Sequence, residues 1–184
     1  KPVITTFHTV LPGPSVKRKL LIQLITQYSD YIVVMTQTAV NILQNDYEID
    51  EAKIKIIPHG IHETPYGENK FAKERLGYSD RLVLSSFGLL RSGRARTSSG
   101  KGHEYVLDAL PEIARKFPNV LYLIIGVTHP KYLKLEGEHY REFLHDKVKK
   151  LGLENNVKFI NKYVTNAELF EYLQSSDLYV CSPL

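Results

Sequence analysis

The sequence has 184 residues, 43% of them apolar, and 24 Lys+Arg against 20 Asp+Glu give a net charge of +4 and a pI near 9.0. That length and apolar share exclude a disordered chain and allow one or two domains with a buried core. The longest apolar run, 121–127, is too short to span a bilayer, and the single cysteine, Cys181, excludes an internal disulfide and fits a reducing compartment, so a protein without a transmembrane segment, cytoplasmic, is expected.

Residues 3–7 are β-branched and aromatic and read as a strand; His8 and a loop containing Pro12 and Pro14 follow, and Ser15 caps a helix. That helix carries Leu20, Leu21, Leu24, Ile25 and Tyr28 at a period of three to four. Residues 31–35 lack any polar side chain, the pattern of a strand covered on both faces. Thr36 caps a second helix with Ala39, Val40, Ile42 and Leu43 inward, and a third strand, 53–57, ends at Pro58-His59-Gly60. The pattern lapses over 61–80, where one short polar helix at 69–76 lies among Pro65, Gly67 and Gly77. Alternation resumes with a strand at 82–87 and a helix opening at Glu104 with Val106, Leu110, Ile113 and Phe117 on one face. A strand at 120–126, a polar loop containing Thr128, His129 and Pro130, a helix at 140–151 closed by Gly152, and a strand at 157–160 follow. Thr165 and Glu168 form a capping box for a helix at 167–173, and 178–181 read as a final buried strand.

Strand and helix in alternation imply an α/β fold with parallel sheets built from Rossmann-like units joined by right-handed crossovers. The sequence places one unit at 1–60, a linker at 61–80 and a second unit at 81–184. A Ser-Asp pair before an apolar strand occurs twice, at Ser29-Asp30 and Ser176-Asp177, and hints at two similarly built halves. A strand with nothing before it and a strand with no helix after it suggest a piece of a longer protein.

The charge excess is concentrated in one stretch. Between the strand ending at Phe87 and the helix opening at Glu104 lie Gly88, Gly93, Gly100 and Gly102 with Arg91, Arg94, Arg96 and Lys101, and no Asp or Glu occurs from Arg91 to Lys101. A strand, a glycine-rich loop and a helix in that order aim backbone N–H groups and the positive end of the helix dipole at one spot, which suits phosphate. The spacing is not that of a P-loop, because six residues separate Gly93 from Gly100 and no Ser or Thr follows Lys101; nor is it a dinucleotide fingerprint. Composition alone fits a solvated surface loop equally well over 91–99, with Gly100-Lys101-Gly102 still able to contact an anion. His8 and His59 each follow a strand, at the edge of a parallel sheet where ligands bind, although a lone histidine is more often a structural residue. His59 and His62 lack the carboxylates of a zinc site, so no bound metal is expected. Cys181, with no cationic neighbour in sequence, is expected to be buried and structural.

The order of motifs resembles the retaining glycosyltransferases of family 4, also called group 1, which have the two-domain GT-B fold. The likeness lies in Pro2-Val3-Ile4-Thr5-Thr6-Phe7-His8-Thr9, Ser29-Asp30-Tyr31-Ile32-Val33-Val34, Ile56-Ile57-Pro58-His59-Gly60-Ile61, Phe87-Gly88-Leu89-Leu90, Gly100-Lys101-Gly102-His103-Glu104 and Asp177-Leu178-Tyr179-Val180, in the family's order. The resemblance implies parts of the two GT-B domains, acceptor-side before the Pro-x-Gly loop and donor-binding after it. It implies that Gly88 lets the backbone approach the diphosphate of a nucleotide-sugar donor, that Lys101, with Gly102 at the helix start, contacts that diphosphate, and that His8 reaches towards the transferred sugar. Leu89 stands where the family usually has Arg, with Arg91 two residues on as the substitute, and Lys101 follows Gly88 after 13 positions, roughly seven more than usual.

The function expected is metal-independent transfer of a sugar from that donor to an acceptor that the sequence does not identify, with retention and with no cofactor besides the donor. A non-catalytic nucleotide- or partner-binding module is the rival reading. Nucleic acid is not an expected partner, because aromatic residues are not interleaved with the arginines. Unpaired sheet edges invite self-association.

Overall fold

The computed structural model describes residues 1–61, 63, 67–91 and 100–181. It divides into two compact units, Lys1–Glu63 and Thr64–Leu184.

Unit 1 is a three-stranded parallel sheet in the order β1 (Ile4–Thr6), β2 (Tyr31–Val34), β3 (Ile54–Ile56), with helices α1 (Val16–Gln27) and α2 (Gln37–Tyr47). Ser15 and Thr36 cap the helices as the sequence predicts, each accepting a bond from a first-turn amide. Ile32, Val34 and Ile54 bury against Val40, Leu43 and Tyr47 of α2, and Ile22 of α1 joins the same cluster. Both helices therefore lie on one face. Ile4 and Tyr31 are exposed on the other, where the Lys55 ammonium stands 5.4 Å from the Tyr31 ring, so β2 is not covered on both faces. The inward face of α1 also differs from the apolar one expected: Leu20, Leu21, Leu24 and Tyr28 are exposed. Polar anchors select the other face, with Gln23 donating to the Tyr47 carbonyl and Lys53 donating to the carbonyls of Thr26 and Ser29.

Unit 2 is a four-stranded parallel sheet in the order β6 (Val157–Ile160), β5 (Val120–Ile125), β4 (Leu82–Phe87), β7 (Leu178–Tyr179). Every residue of β5 is buried, because alternate side chains feed two cores. Val120, Tyr122 and Ile124 pack with Leu107 and Leu110 of α4 (His103–Lys116) and Leu144 and Val148 of α6 (His139–Lys150). Leu121, Leu123 and Ile125 pack with Tyr78 and with Tyr172 of α7 (Asn166–Ser175), whose capping box forms as expected. Helix α3 (Asn69–Leu76), in the stretch that the sequence assigns to the linker, is built into unit 2: Asn69 donates to the Gln174 carbonyl, Arg75 pairs with Glu171, and the buried Lys73 pairs with Asp177 at 2.6 Å.

The loop after β5 contains a helix the sequence reading missed, α5 (Pro130–Glu136), where Pro130 occupies the first turn and the His129 ring accepts from the Lys131 amide. Phe117, expected in the core, is exposed at the end of α4. Cys181, expected to be buried, is exposed, just beyond β7, which among the described residues lies at the edge of the sheet beside β4. Among the described residues no helix is long and apolar enough to cross a membrane.

The repeated Ser-Asp pair is the same device in both units. The Asp30 amide donates to the Val3 carbonyl at 2.8 Å while its carboxylate accepts from the Val3 amide at 2.6 Å; Asp177 does both with Val83, at 2.8 and 2.7 Å. The Ser29 hydroxyl bonds the carbonyl four residues back and the Thr5 hydroxyl; Ser176 bonds the Tyr172 carbonyl and the Ser85 hydroxyl. Counted from the two valines, His8 and Gly88 fall at equivalent positions, each just past the carboxyl end of its strand.

Candidate donor site

Two glycines shape the carboxyl edge of the second sheet. Gly88 and Gly126 follow β4 and β5 with φ of +132° and +141°, backbone that a side chain rarely allows. A Cβ on Gly126 would stand 2.1 Å from the Gly88 carbonyl oxygen, so the two backbones meet only because Gly126 is bare. The chains then run on side by side, with the Leu90 amide donating to the Val127 carbonyl and the His129 amide to the Leu90 carbonyl.

Lys101 lies across Gly88. A Cβ on Gly88 would be 3.0 Å from the Lys101 Cε and 3.6 Å from Nζ, so the absent side chain makes room for the lysine. Gly102, buried with φ of +67°, is the N-cap of α4 and has no side chain to offer the first-turn amides. Glu104 in that turn accepts from the Tyr140 hydroxyl at 2.5 Å, and burial, then this carboxylate, raises the Tyr140 pKa. Lysine ammonium, bare glycine backbone and the positive end of a fourteen-residue helix thus share one spot, an arrangement whose charge and open amides suit an anion.

Arg91, the other predicted cation of this stretch that the structure describes, is half-buried just beyond Leu90. Arg94, Arg96 and the rest of 92–99 lie outside the described residues. His8 is in unit 1, exposed after β1, and its ring stacks on that of His59 at 5.5 Å, a pairing that sequence reading of two separate histidines did not find. The signal was present, since each follows a strand flanking β2. Among the described residues no three His, Cys, Asp or Glu side chains gather as a metal site.

Sequence reading also missed Gly126, although its place directly after a strand matches that of Gly88, and it missed a buried polar chain beneath the site. His103 Nδ1 is 2.9 Å from the Tyr122 hydroxyl, which donates to Ser86 Oγ at 2.9 Å, which donates to the Val180 carbonyl at 2.6 Å. His103 is 1% exposed, and burial lowers its pKa to about 4, with Lys101 acting in the same direction and Glu104 against it. Burial raises the Tyr122 pKa.

The curated relatives include mannosylfructose-phosphate synthase of Agrobacterium fabrum, 26% identical over 159 residues, which cover 83% of this chain and 32% of that protein. An uncharacterized glycosyltransferase of Methanocaldococcus jannaschii is also 26% identical over 159 residues, 86% of this chain and 35% of that one. The chain thus spans about a third of the length of these relatives. Among solved structures, Anabaena HepE in complex with UDP and glucose aligns with a TM-score of 0.71 at 19% identity, over 100% of this chain and 46% of that one. A glycosyltransferase from Rickettsia africae aligns with a TM-score of 0.66 at 19% identity, over 98% and 45%. The α/β fold with parallel sheets is therefore that of the GT-B glycosyltransferases. Residues 1–64 match glycosyltransferase family 4, residues 89–184, which hold Lys101 and all of α4, match the family described as glycosyl transferases group 1, and the chain belongs to that group.

Proposed function

We propose that the intact protein transfers a sugar from a nucleotide-diphosphate donor to an acceptor, with retention at the anomeric carbon and without a metal ion. The observation that carries this reading is the Lys101 side chain laid over Gly88 at the start of α4. When the glycosidic bond breaks, its electron pair leaves with the diphosphate oxygen, and negative charge grows there. Lys101, Arg91 and the amides after Gly102 stabilise that charge more in the transition state than in the bound donor, while Gly88 admits the diphosphate close to the backbone. His8 is assigned to the transferred sugar. A nucleotide-sugar donor is further supported by HepE, a structural neighbour that binds UDP and glucose.

Removing one such contact costs on the order of 2.7 to 4 kcal/mol of barrier. Lys101→Ala in the intact protein is therefore expected to lower turnover about a hundredfold or more, while EDTA leaves the wild-type rate unchanged. Near-normal turnover in the variant removes Lys101 from the mechanism, and loss of activity in EDTA that added metal restores overturns the metal-free reading. Proton NMR of the first-formed product checks retention.

A further inference from the structure

The donor-site reading leaves three buried polar side chains unused, and they are costly to place where they are. Tyr122 lies in the cluster with Leu84, Leu107 and Ile124, and His103 is buried beside its hydroxyl, where a phenylalanine and a leucine would avoid burying an O–H and an imidazole.

The proton count along the chain fixes its direction. Ser86 gives its proton to the Val180 carbonyl, so its oxygen accepts from Tyr122. The one phenolic proton is then engaged, so the Tyr122 oxygen accepts from His103, whose proton sits on Nδ1. Nε2 is left as a buried lone pair with no partner among the described residues. His103 is held as the neutral Nδ1–H tautomer, which agrees with its lowered pKa.

Both ends of this chain adjoin the anion site. His103 directly follows Lys101-Gly102, and Ser86 stands two residues before Gly88. We infer that Tyr122, with His103 and Ser86, is a positioning bridge: its hydroxyl ties the start of α4 to the end of β4 and so sets where Lys101 stands over Gly88. A hydrogen-bonded chain fixes both distance and rotation, which apolar contact alone does less well. The inference rests on the reading of Gly88 and Lys101 as a diphosphate site.

The test is Tyr122→Phe in the intact protein, with UDP and inorganic pyrophosphate as calorimetric probes at a temperature where circular dichroism shows the variant folded. Loss of one positioning hydrogen bond is expected to weaken both probes about tenfold. His103→Asn, whose amide N–H can replace Nδ1–H, is expected to bind like wild type, and His103→Leu like Tyr122→Phe. This histidine pair carries the test if Tyr122→Phe does not fold. Wild-type affinity in Tyr122→Phe, or in His103→Leu, with only a lower melting temperature would make the bridge purely structural and overturn the inference while leaving the donor reading intact. Failure of the wild-type protein to bind either probe would overturn the donor reading and the bridge together.

Discussion

Single residues carry the chemistry through what they lack as much as through what they present. Gly126 shows this at the backbone, since its φ of +141° and the Gly88 carbonyl 2.1 Å from where its Cβ would be leave no room for alanine. Gly126→Ala is expected to destabilise unit 2 by at least about 2 kcal/mol in denaturant melts, whereas an unchanged midpoint would show that the two loops part easily. At Gly88 the near group is a flexible lysine that can give way, but the φ of +132° strains any side chain there, so a substitution both displaces Lys101 and costs stability. His103 has a pH signature. Its pKa is about 4 in the folded protein and 6.5 ordinarily, so between those values the unfolded chain binds a proton that the folded one does not. Stability is then complete above about pH 6.5 and falls as pH drops towards 4. His103→Asn removes that share of the slope, and equal pH profiles for the variant and the wild type would contradict a buried neutral imidazole. Lys101 and Gly88 were legible as residues because charge and glycine cluster in sequence. The His103 chain was not, since its bonds join residues 19 and 36 positions apart and depend on which face of β5 carries Tyr122.

At the scale of elements, the twin Ser-Asp devices show how a short sequence match acquires physical content. Each aspartate replaces one rung of a parallel ladder at the point where the incoming strand begins, and each serine returns to the preceding helix and reaches across to a hydroxyl. Both aspartates are exposed, but they differ in their partners, since Asp177 also holds the ammonium of the buried Lys73. Asp177→Ala is expected to cost about 3 kcal/mol, because it removes the counter-charge of a buried ammonium and leaves it the neutral Arg81 carbonyl, and Asp30→Ala about 1 kcal/mol for hydrogen bonds near water; urea melts giving equal costs would contradict this division. Strand and helix positions were readable because period and capping chemistry are local, as at Ser15, Thr36 and the Thr165–Glu168 box. The inward face of α1 was not readable, since Gln23 and Lys53, rather than the leucines, select it through partners distant in sequence. Helix α5 follows a stretch whose Thr128, His129 and Pro130 read as a polar loop, yet proline in the first turn is compatible with a helix start.

At the scale of the whole molecule, each of the two parallel-sheet units ends a strand, after the same device, in a residue of the proposed site: His8 in the first, Gly88 beneath Lys101 in the second. The motifs that carried this assignment are spread through the chain in a fixed order, which is why fold and family were legible where no single motif was decisive. The donor's base and sugar were not, because nothing in the described residues reads them. The central claim is that the anion spot made by Gly88, Lys101 and the start of α4 holds the diphosphate of the donor. A crystal structure of the intact protein soaked with UDP tests it most directly. The account predicts a phosphate oxygen within about 3.2 Å of Lys101 Nζ, over Gly88 and facing the first amides of α4. UDP bound with its diphosphate away from these groups, Lys101 turned to solvent, would contradict it.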